Sequence, residues 1–219
     1  MNIDQSLLLW FNGGYTPFLD HLAIHFTSAF TWVLLYLSLL YIVIRNSTTR
    51  RQLLLTLACV ALCLLLSDGL PDGIVKPLVA RLRPSHDPAL RGLVHLVGGQ
   101  RNTPYGFFSA HASNTFSLAL FFSFLVRRRS LMVVLVTWSL INCWTRLYLG
   151  FHYPSDILVG LVWGAASGST AYYVYRKTLE YHFHTPVRRY TRASAGIPVV
   201  VFLLTTCYLI VQSLAVSVT

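Results

Sequence analysis

Five long apolar stretches constrain the fold of this chain more than any other feature of its sequence. Each approaches or exceeds the roughly 18 to 20 apolar residues that a helix needs to cross a bilayer. They cover residues of about 22–44, 53–70, 131–149, 157–175 and 197–216. A sixth stretch, about 106–126, is apolar after a polar beginning. Because a helix leaves no backbone group of its interior unpaired in lipid, the sequence predicts an all-α polytopic membrane protein with six transmembrane helices in one bundle.

The composition agrees with this prediction and argues against a separate soluble domain. Hydrophobic residues make up 55% of the 219 residues and charged residues only 11%, which lies outside the range of soluble domains. Six spans nearly fill the chain, so we expect residues 1–219 to form a single domain. Before the first span, the apolar residues favour a short helix in the membrane interface, although an irregular segment would explain them equally well. These residues are Ile3, Leu7, Leu8, Trp10 and Phe11.

The formal net charge of +10 would suggest a nucleic-acid partner for a soluble protein, but here its distribution matters more. Eleven of the 17 Lys and Arg residues follow predicted spans one, three and five. By the positive-inside rule these loops are cytoplasmic, and both termini lie outside. The sequence therefore predicts membrane lipids as the surroundings and no nucleic-acid partner. The eleven residues are Arg45, Arg50, Arg51, Arg127, Arg128, Arg129, Arg176, Lys177, Arg188, Arg189 and Arg192.

Polar residues collect in three blocks that share one membrane face. They are the segments 76–84, 109–111 and 146–156. The first block leaves span two, the second begins span three, and the third joins spans four and five. Because spans three and four are connected on the opposite side, the start of one and the end of the other lie at the same face. Charged residues this close to lipid are costly, and they mark a functional site by default.

The chemistry of the three blocks suits a phosphate ester better than a metal ion. Cations and the N–H groups at a helix start stabilise phosphate oxygens, and Ser109 is expected in the first turn of span three. Pro154 is typical of a first helical turn and places Asp156 there. That carboxylate can accept the proton of one His152 nitrogen and leave the other free to attack phosphorus. All four cysteines fall inside spans and behave as small apolar residues rather than as a metal set.

In order and spacing, these residues resemble the three-part signature of the type 2 phosphatidic acid phosphatase (PAP2) superfamily. The signature is Lys-x6-Arg-Pro, then Ser-x-His, then Arg-x5-His-x3-Asp. In this chain it covers residues of roughly 68–160. Two blocks depart from the family's usual pattern. The second has Phe108 and Ala110, where the family usually has Pro and Gly, and the third begins with Thr145, where it usually has Ser. The matching residues are Lys76, Arg83, Pro84, Ser109, His111, Arg146, His152 and Asp156.

The resemblance implies a role for each residue. His152 would be the nucleophile that forms a phosphohistidine, Asp156 would orient it, and His111 would protonate the leaving group. The phosphoryl oxygens would be held by four side chains, with Arg81, which fits a variant of the first block, and the Ala110 backbone as further candidates. The resemblance implies no metal and no organic cofactor. The four side chains are Lys76, Arg83, Ser109 and Arg146.

The expected function is hydrolysis of a lipid phosphate at the outer face of a bacterial cytoplasmic membrane. Undecaprenyl diphosphate is the preferred substrate because the chain is small, while a phosphatidylglycerol phosphate, phosphatidate and a lipid A phosphate stay open. Three rivals are an anion or lipid transporter, a vanadate-dependent haloperoxidase and a metal hydrolase. The clustering of charges at one face argues against the first, membrane embedding against the second, and the surrounding cations against the third. The oligomeric state stays open.

Overall fold

The computed structural model of the chain describes residues 1–69, 71–99, 102–183 and 190–218. These residues are almost entirely helical and contain no strand, although an isolated bridge pairs Leu82 with Tyr105. The all-α prediction is therefore confirmed. The helices are α1 (Ile3–Asn12), α2 (Pro17–Thr27), α3 (Val33–Asn46), α4 (Arg50–Leu64), α5 (Lys76–Val79), α6 (Ala110–Val126), α7 (Arg129–Tyr148), α8 (Pro154–Tyr181) and α9 (Arg192–Val218).

Five helical stretches are long and apolar enough to cross a membrane, so the chain is an integral membrane protein. The sixth predicted span corresponds to α6, which is apolar but only 17 residues long. This is slightly shorter than a typical span, and the count of six stays a prediction. The five stretches are Ala29–Asn46, Arg50–Val79, Arg129–Tyr148, Pro154–Tyr181 and Arg192–Ser217.

The first span begins later than the sequence predicted. Helix α2 ends at Thr27, the backbone is extended at Ser28 (φ −73°, ψ 127°), and a 3-10 turn then leads into α3. Two side chains beyond the break donate hydrogen bonds to the last carbonyl groups of α2: Thr31 Oγ1 to His25 O (2.6 Å) and Trp32 Nε1 to Phe26 O (2.7 Å). These bonds satisfy carbonyl groups that a continuous helix would have paired.

The N-terminal residues form a regular helix, as predicted, and α1 is docked on the bundle. Asn2 and Gln5 form a capping box at its start, which satisfies two free N–H groups. Leu8 is fully buried in a small cluster with Leu90 and Tyr153, whereas Trp10 is exposed. Helix α1 therefore covers the loop between α5 and α6 and the start of α8, and its place in the membrane interface stays a prediction.

Helix α6 lies at the centre of the bundle, against α7, α8 and α4, and α9 packs on α2, α3 and α7. The glycines of α8 explain the closest of these contacts. A Cβ atom added to Gly160, Gly164 or Gly168 would lie only 2.7, 2.6 or 2.4 Å from a backbone carbonyl oxygen of α6. Small residues at intervals of four along α8 thus permit a close contact between the two helices.

The basic loops meet at one end of the bundle. Arg128 donates to Tyr190 O (2.8 and 3.0 Å), and Asn46 Nδ2 donates to Ser194 Oγ (3.1 Å). These bonds link the connections that follow α3, α6 and α8. Arg188 and Arg189, which the charge argument also used, lie outside the described residues. The three polar blocks lie at the opposite end, where α6 and α8 begin and α7 ends.

Candidate active site

The loop between α5 and α6 closes on itself beside the site. Its two ends are joined by backbone hydrogen bonds from Arg83 N to Pro104 O (2.8 Å) and from Gly106 N to Arg81 O (2.9 Å). Arg83 also donates from Nε to Thr103 O (2.8 Å). The first block is thereby held next to the start of α6, although the two are far apart in sequence.

The starts of α6 and α8 are joined at the second block. Ser109 is the N-cap of α6, and its Oγ accepts a hydrogen bond from Ala112 N (3.3 Å). Its backbone N–H donates to Asp156 O in the first turn of α8 (3.1 Å). Ala110 and His111 occupy the first turn of α6, where N–H groups lack a partner within the helix and the helix dipole is positive. This helix start can accept an anion.

His152 lies almost fully buried in the turn between α7 and α8. Arg83 Nη1 lies 2.8 Å from its Nε2, and because a guanidinium can only donate, Nε2 carries the lone pair. The proton is then on Nδ1, which faces Asp156 Oδ2 at 3.6 Å. This distance exceeds a hydrogen bond, and Nδ1 has no hydrogen-bond partner among the described residues. The tautomer is the one that a nucleophilic Nε2 requires.

Burial and neighbouring cations keep the imidazole neutral. Burial lowers the pKa of His152 well below its usual value, and the charges of Arg83, Arg146 and Lys76 lower it further, as does His111. Burial also lowers the pKa of Arg83, against the opposing charges of Asp156 and Asp72. A neutral imidazole with its lone pair facing a cationic environment can attack an electrophile that carries negative oxygens.

Arg146 reaches the site from the last turn of α7. Its side chain is buried, with Cζ 4.6 Å from the centre of the Phe151 ring and Nη1 donating to Thr27 Oγ1 (3.1 Å). Its Nε has no hydrogen-bond partner among the described residues. An unpaired buried donor is costly, and an anion bound in the site would satisfy it.

The other two cations of the first block pair with carboxylates. Lys76 forms an ion pair with Asp72, one helical turn earlier. Arg81 donates from Nη1 to Asp156 Oδ1 (2.7 Å) and from Nη2 to Asp4 Oδ2 (2.5 Å). The structure thus brings all three blocks to one end of the bundle, with Arg81 on the far side of Asp156 from His152.

His111 borders an apolar cavity of about 490 Å3 that lies between α3, α4, α6 and α7. Thr27 and Asn114 line it near His111, while Leu39 and Val60 line it deeper in the membrane. On α6 the lining continues from His111 to Phe122, which corresponds to roughly 16 Å of helix. His111 itself is exposed, in contrast to the buried His152. The cavity is therefore a continuous apolar space that ends at a histidine of the site.

Three residues that touch the site were missed by the sequence analysis. Thr27 bonds Arg146 because the first span breaks at Ser28, and Asp4 bonds Arg81 across 77 positions. A Cβ atom added to Gly106 would lie 2.9 Å from Arg83 Cγ. No local pattern marks these residues, because their role depends on distant parts of the chain. Among the residues that the structure describes, no group of three or more His, Cys, Asp or Glu side chains could hold a metal ion.

The structure is a bundle of apolar helices in which histidines, cations and the N-terminus of α6 lie together at one end. This combination is typical of a membrane protein that acts on phosphate groups. The sequence matches the PAP2 superfamily over residues 52–180. This chain belongs to that superfamily, and it is a membrane lipid phosphatase. The resemblance that the three motifs indicated is confirmed, as are the enzyme class and the membrane character.

Two curated relatives are similar over most of the chain. The lipid A 4′-phosphatase of Bacteroides thetaiotaomicron is 40% identical over 188 residues, which are 85% of this chain and 83% of that protein. The lipid A 4′-phosphatase of Porphyromonas gingivalis is 33% identical over 177 residues, which are 80% and 74% of the two chains.

A solved structure shares the fold. The crystal structure of Aquifex aeolicus LpxE superposes with a TM-score of 0.61 and 20% sequence identity, over 78% of this chain and 95% of that chain. At this identity the likeness shows the fold alone. The bundle described above is thus one that has also been observed in a solved structure.

Proposed function

We propose that this protein removes a phosphate group from a phosphorylated lipid, with a lipid A phosphate as the favoured substrate. The observation that carries the proposal is the position of His111, where the cationic site meets the apolar cavity. A lipid chain can occupy the cavity while its phosphate lies among Lys76, Arg83, Ser109 and Arg146. The ester oxygen of the lipid then lies at the boundary, next to the group that would protonate it.

The reaction proceeds in two steps. His152 Nε2 attacks phosphorus, the bond to the ester oxygen breaks, and His111 donates the proton that this oxygen requires. A phosphohistidine results. Water then attacks its phosphorus, His111 accepts the proton of the water, and phosphate leaves as the His152 lone pair is restored. The surrounding cations, the first-turn N–H groups at Ala110 and the Nε donor of Arg146 stabilise the charge on the phosphoryl oxygens, which is where most catalysis of phosphoryl transfer resides.

The choice of lipid rests on the relatives. Two proteins that match most of the chain are named as lipid A 4′-phosphatases, which favours a lipid A phosphate over the undecaprenyl diphosphate preferred from the sequence. The site also supports an outward-facing orientation in the bacterial inner membrane, since the basic loops meet at the opposite end of the bundle.

A substrate panel tests this proposal. Phosphate release is measured from the purified protein in detergent with bis-phosphorylated lipid A, undecaprenyl diphosphate, phosphatidylglycerol phosphate and phosphatidate. We expect the highest kcat/KM with lipid A, a loss of more than about a hundredfold for His152→Ala, and no effect of a chelator. His182→Ala, at the opposite end of α8, is the matched control and should behave as wild type. Equal activity of His152→Ala and wild type would contradict the nucleophile assignment.

The rivals predict other outcomes of the same panel. A transporter would release no phosphate from any lipid. A metal hydrolase would lose activity with the chelator and regain it with a divalent ion. A haloperoxidase would oxidise halide only after vanadate is added, and it would show no preference among the lipids.

The cavity is tested separately. Leu57 lines the cavity on α4, whereas Leu54, one turn away, does not, and both side chains are exposed. Leu57→Trp should raise KM for a long-chain lipid phosphate and leave hydrolysis of a short soluble phosphomonoester unchanged. Only the long chain needs the part of the cavity that the Trp side chain would occupy. Leu54→Trp should change neither. Equal effects on long and short substrates would show that the chain does not bind there.

A further inference from the structure

We propose that Asp4, on the N-terminal helix α1, is a positioning residue of the active site, which acts on Asp156 through Arg81. This inference rests on the proposed function, since it concerns the orientation of the nucleophile His152. It assigns Arg81 to the support of Asp156 rather than to the phosphate.

Asp4 accepts three hydrogen bonds from the far side of the site. Ser155 donates from its backbone N–H to Oδ1 (2.9 Å) and from its Oγ to Oδ2 (2.5 Å), and Arg81 Nη2 donates to Oδ2 (2.5 Å). Burial raises the pKa of Asp4, but these bonds and the Arg81 charge outweigh it and lower the pKa overall. Asp4 is thus a charged, partly buried acceptor held by two segments of the site.

Arg81 carries this constraint to Asp156. Its Nη1 donates to Asp156 Oδ1 and to Ser155 Oγ, both at 2.7 Å, and its Cζ lies 4.3 Å above the Tyr153 ring. Burial lowers the pKa of Arg81, but the Asp4 hydrogen bond and the charges of Asp156 and Asp4 raise it overall. Because the guanidinium fork is planar and rigid, fixing one Nη atom against Asp4 also fixes the direction of the other.

Asp156 is thereby held by both of its oxygens. Oδ1 accepts from Arg81, and Oδ2 accepts from Tyr153 N (2.9 Å) and faces His152 Nδ1. If Arg81 rotated away, Oδ1 would lose its partner and the carboxylate could turn within the first turn of α8. The Oδ2 atom would then no longer be fixed toward the imidazole that it orients.

Helix α1 is docked firmly enough to serve this purpose. Gln5 Nε2 donates to Asp87 Oδ2 (3.2 Å), and the same oxygen accepts from Tyr153 Oη (2.6 Å). Leu8 is buried between Leu90 and Tyr153. Besides Asp4, the N-terminal helix is therefore docked by one polar contact, from Gln5 to Asp87, and by one apolar contact, from Leu8 to Leu90 and Tyr153.

A double-mutant cycle tests the inference in the full chain. The variants are Asp4→Asn, Arg81→Met and the double variant, each purified in detergent and checked by thermal unfolding. Asp4→Asn should lower kcat about tenfold with KM within about twofold of wild type, because the substrate still binds while the nucleophile is misaligned. In the Arg81→Met background, Asp4→Asn should change kcat by less than about twofold, because the residue through which it acts is gone.

Two comparisons separate positioning from a general structural role. Gln5→Ala loosens the docking of α1 without removing the Asp4 charge, and it should keep kcat within about threefold of wild type. If Gln5→Ala loses as much kcat as Asp4→Asn does, the effect comes from docking alone and the inference is overturned. Equal losses of kcat for Asp4→Asn in the wild-type and Arg81→Met backgrounds would also overturn it. If Asp4→Asn alone does not fold, Asp4→Glu, which keeps the charge but moves the carboxylate, takes its place in both backgrounds with the same expected pattern of losses.

A second probe makes the test independent of the lipid substrate. Inorganic orthovanadate, when bonded to the attacking nitrogen, mimics the five-coordinate phosphorus of the transition state. Its protection against thermal unfolding therefore gives an affinity that depends on the alignment of His152. Asp4→Asn should weaken this affinity in the wild-type background and leave it unchanged beside Arg81→Met. If vanadate binds and hydrolysis depends on His152, but the effects of Asp4→Asn and Arg81→Met are additive, only the role of Asp4 is overturned. Absence of both in the wild type would overturn the proposed function together with this inference.

Discussion

At the scale of single residues, the contact between Arg83 and His152 sets the first requirement of the reaction. Arg83 Nη1 donates to the Nε2 lone pair with which the imidazole would attack. A phosphate that enters the site must draw this guanidinium onto its own oxygens before Nε2 is free. In the proposed mechanism, Arg83 therefore holds His152 in the tautomer that a nucleophile requires until a negatively charged substrate competes for the guanidinium.

Gly106 gives a prediction at this scale. An added Cβ would lie 2.9 Å from Arg83 Cγ and 3.6 Å from both His152 Nδ1 and Asp156 Oδ2. Gly106→Ala should therefore displace Arg83 and lower kcat/KM between about tenfold and a hundredfold, with a small change in the melting temperature. Gly196→Ala, where a Cβ meets open space, is the control. If Gly106→Ala has the kcat/KM of the wild type, the reaction does not depend on the present position of Arg83.

The pH dependence of stability gives a second prediction. His152 has an ordinary pKa of 6.5 in the unfolded chain and a pKa well below this in the folded protein. Below pH 6.5 the unfolded state therefore binds more protons, and this contribution to stability is lost as pH falls, by up to about 1.4 kcal/mol per pH unit.

The measurement is thermal unfolding without phosphate between pH 8 and pH 5. The melting temperature of the wild type should fall more steeply below pH 6.5 than that of His152→Gln, and the two slopes should agree above it. Parallel curves throughout would contradict a depressed pKa.

At the scale of secondary-structure elements, the sequence predicted the membrane helices and the grouping of the polar blocks, because long apolar runs and motif spacing are local properties. It did not predict the break at Ser28, which depends on hydrogen bonds from Thr31 and Trp32 that a hydrophobic pattern does not record. Nor could it pair Asp4 with Arg81, since the contact exists only once α1 is docked. The parts that could not be predicted are those that depend on tertiary contact between distant segments.

The contact between α6 and α8 gives a third prediction. A Cβ at Gly164 would lie 2.6 Å from Ser113 O and 3.1 Å from Ser113 Cα. Gly164→Ala should push the two helices apart and reduce stability by about 1–3 kcal/mol, and kcat should fall because Ser109 and Asp156 begin these helices. Thermal unfolding and phosphate release measure both effects. Ser169→Ala, at an exposed position of the same helix, should change neither, and equal behaviour of the two variants would argue against tight packing here.

At the scale of the whole molecule, the protein is polarised along the membrane normal. The basic loops meet at one end, the proposed phosphate site lies at the other, and the apolar cavity extends from this site into the bundle. This arrangement lets the phosphate reach cations and water while the chain of the substrate stays in an apolar environment. The proposed chemistry also draws on residues outside the signature region. The segments involved are α1, α2, residues 76–84, α6, α7 and the start of α8.

The orientation gives a fourth prediction. Cysteine introduced at the exposed Arg91 should react with a membrane-impermeant maleimide in spheroplasts, while cysteine at the exposed Glu180 should react only after permeabilisation. The background is Cys207→Ser, since the other three cysteines are buried. The reverse pattern would place the site at the cytoplasmic face.

The central claim is that His152 carries the phosphoryl group during turnover, and trapping the intermediate tests it most directly. The purified protein is mixed with bis-phosphorylated lipid A, quenched within the first turnover under alkaline denaturing conditions, and mapped by peptide mass spectrometry. We expect one acid-labile phosphoryl group on His152, which is absent in His152→Ala and present in His182→Ala. Rapid phosphate release with no phosphorylated residue, or with the phosphoryl group on another side chain, would contradict it.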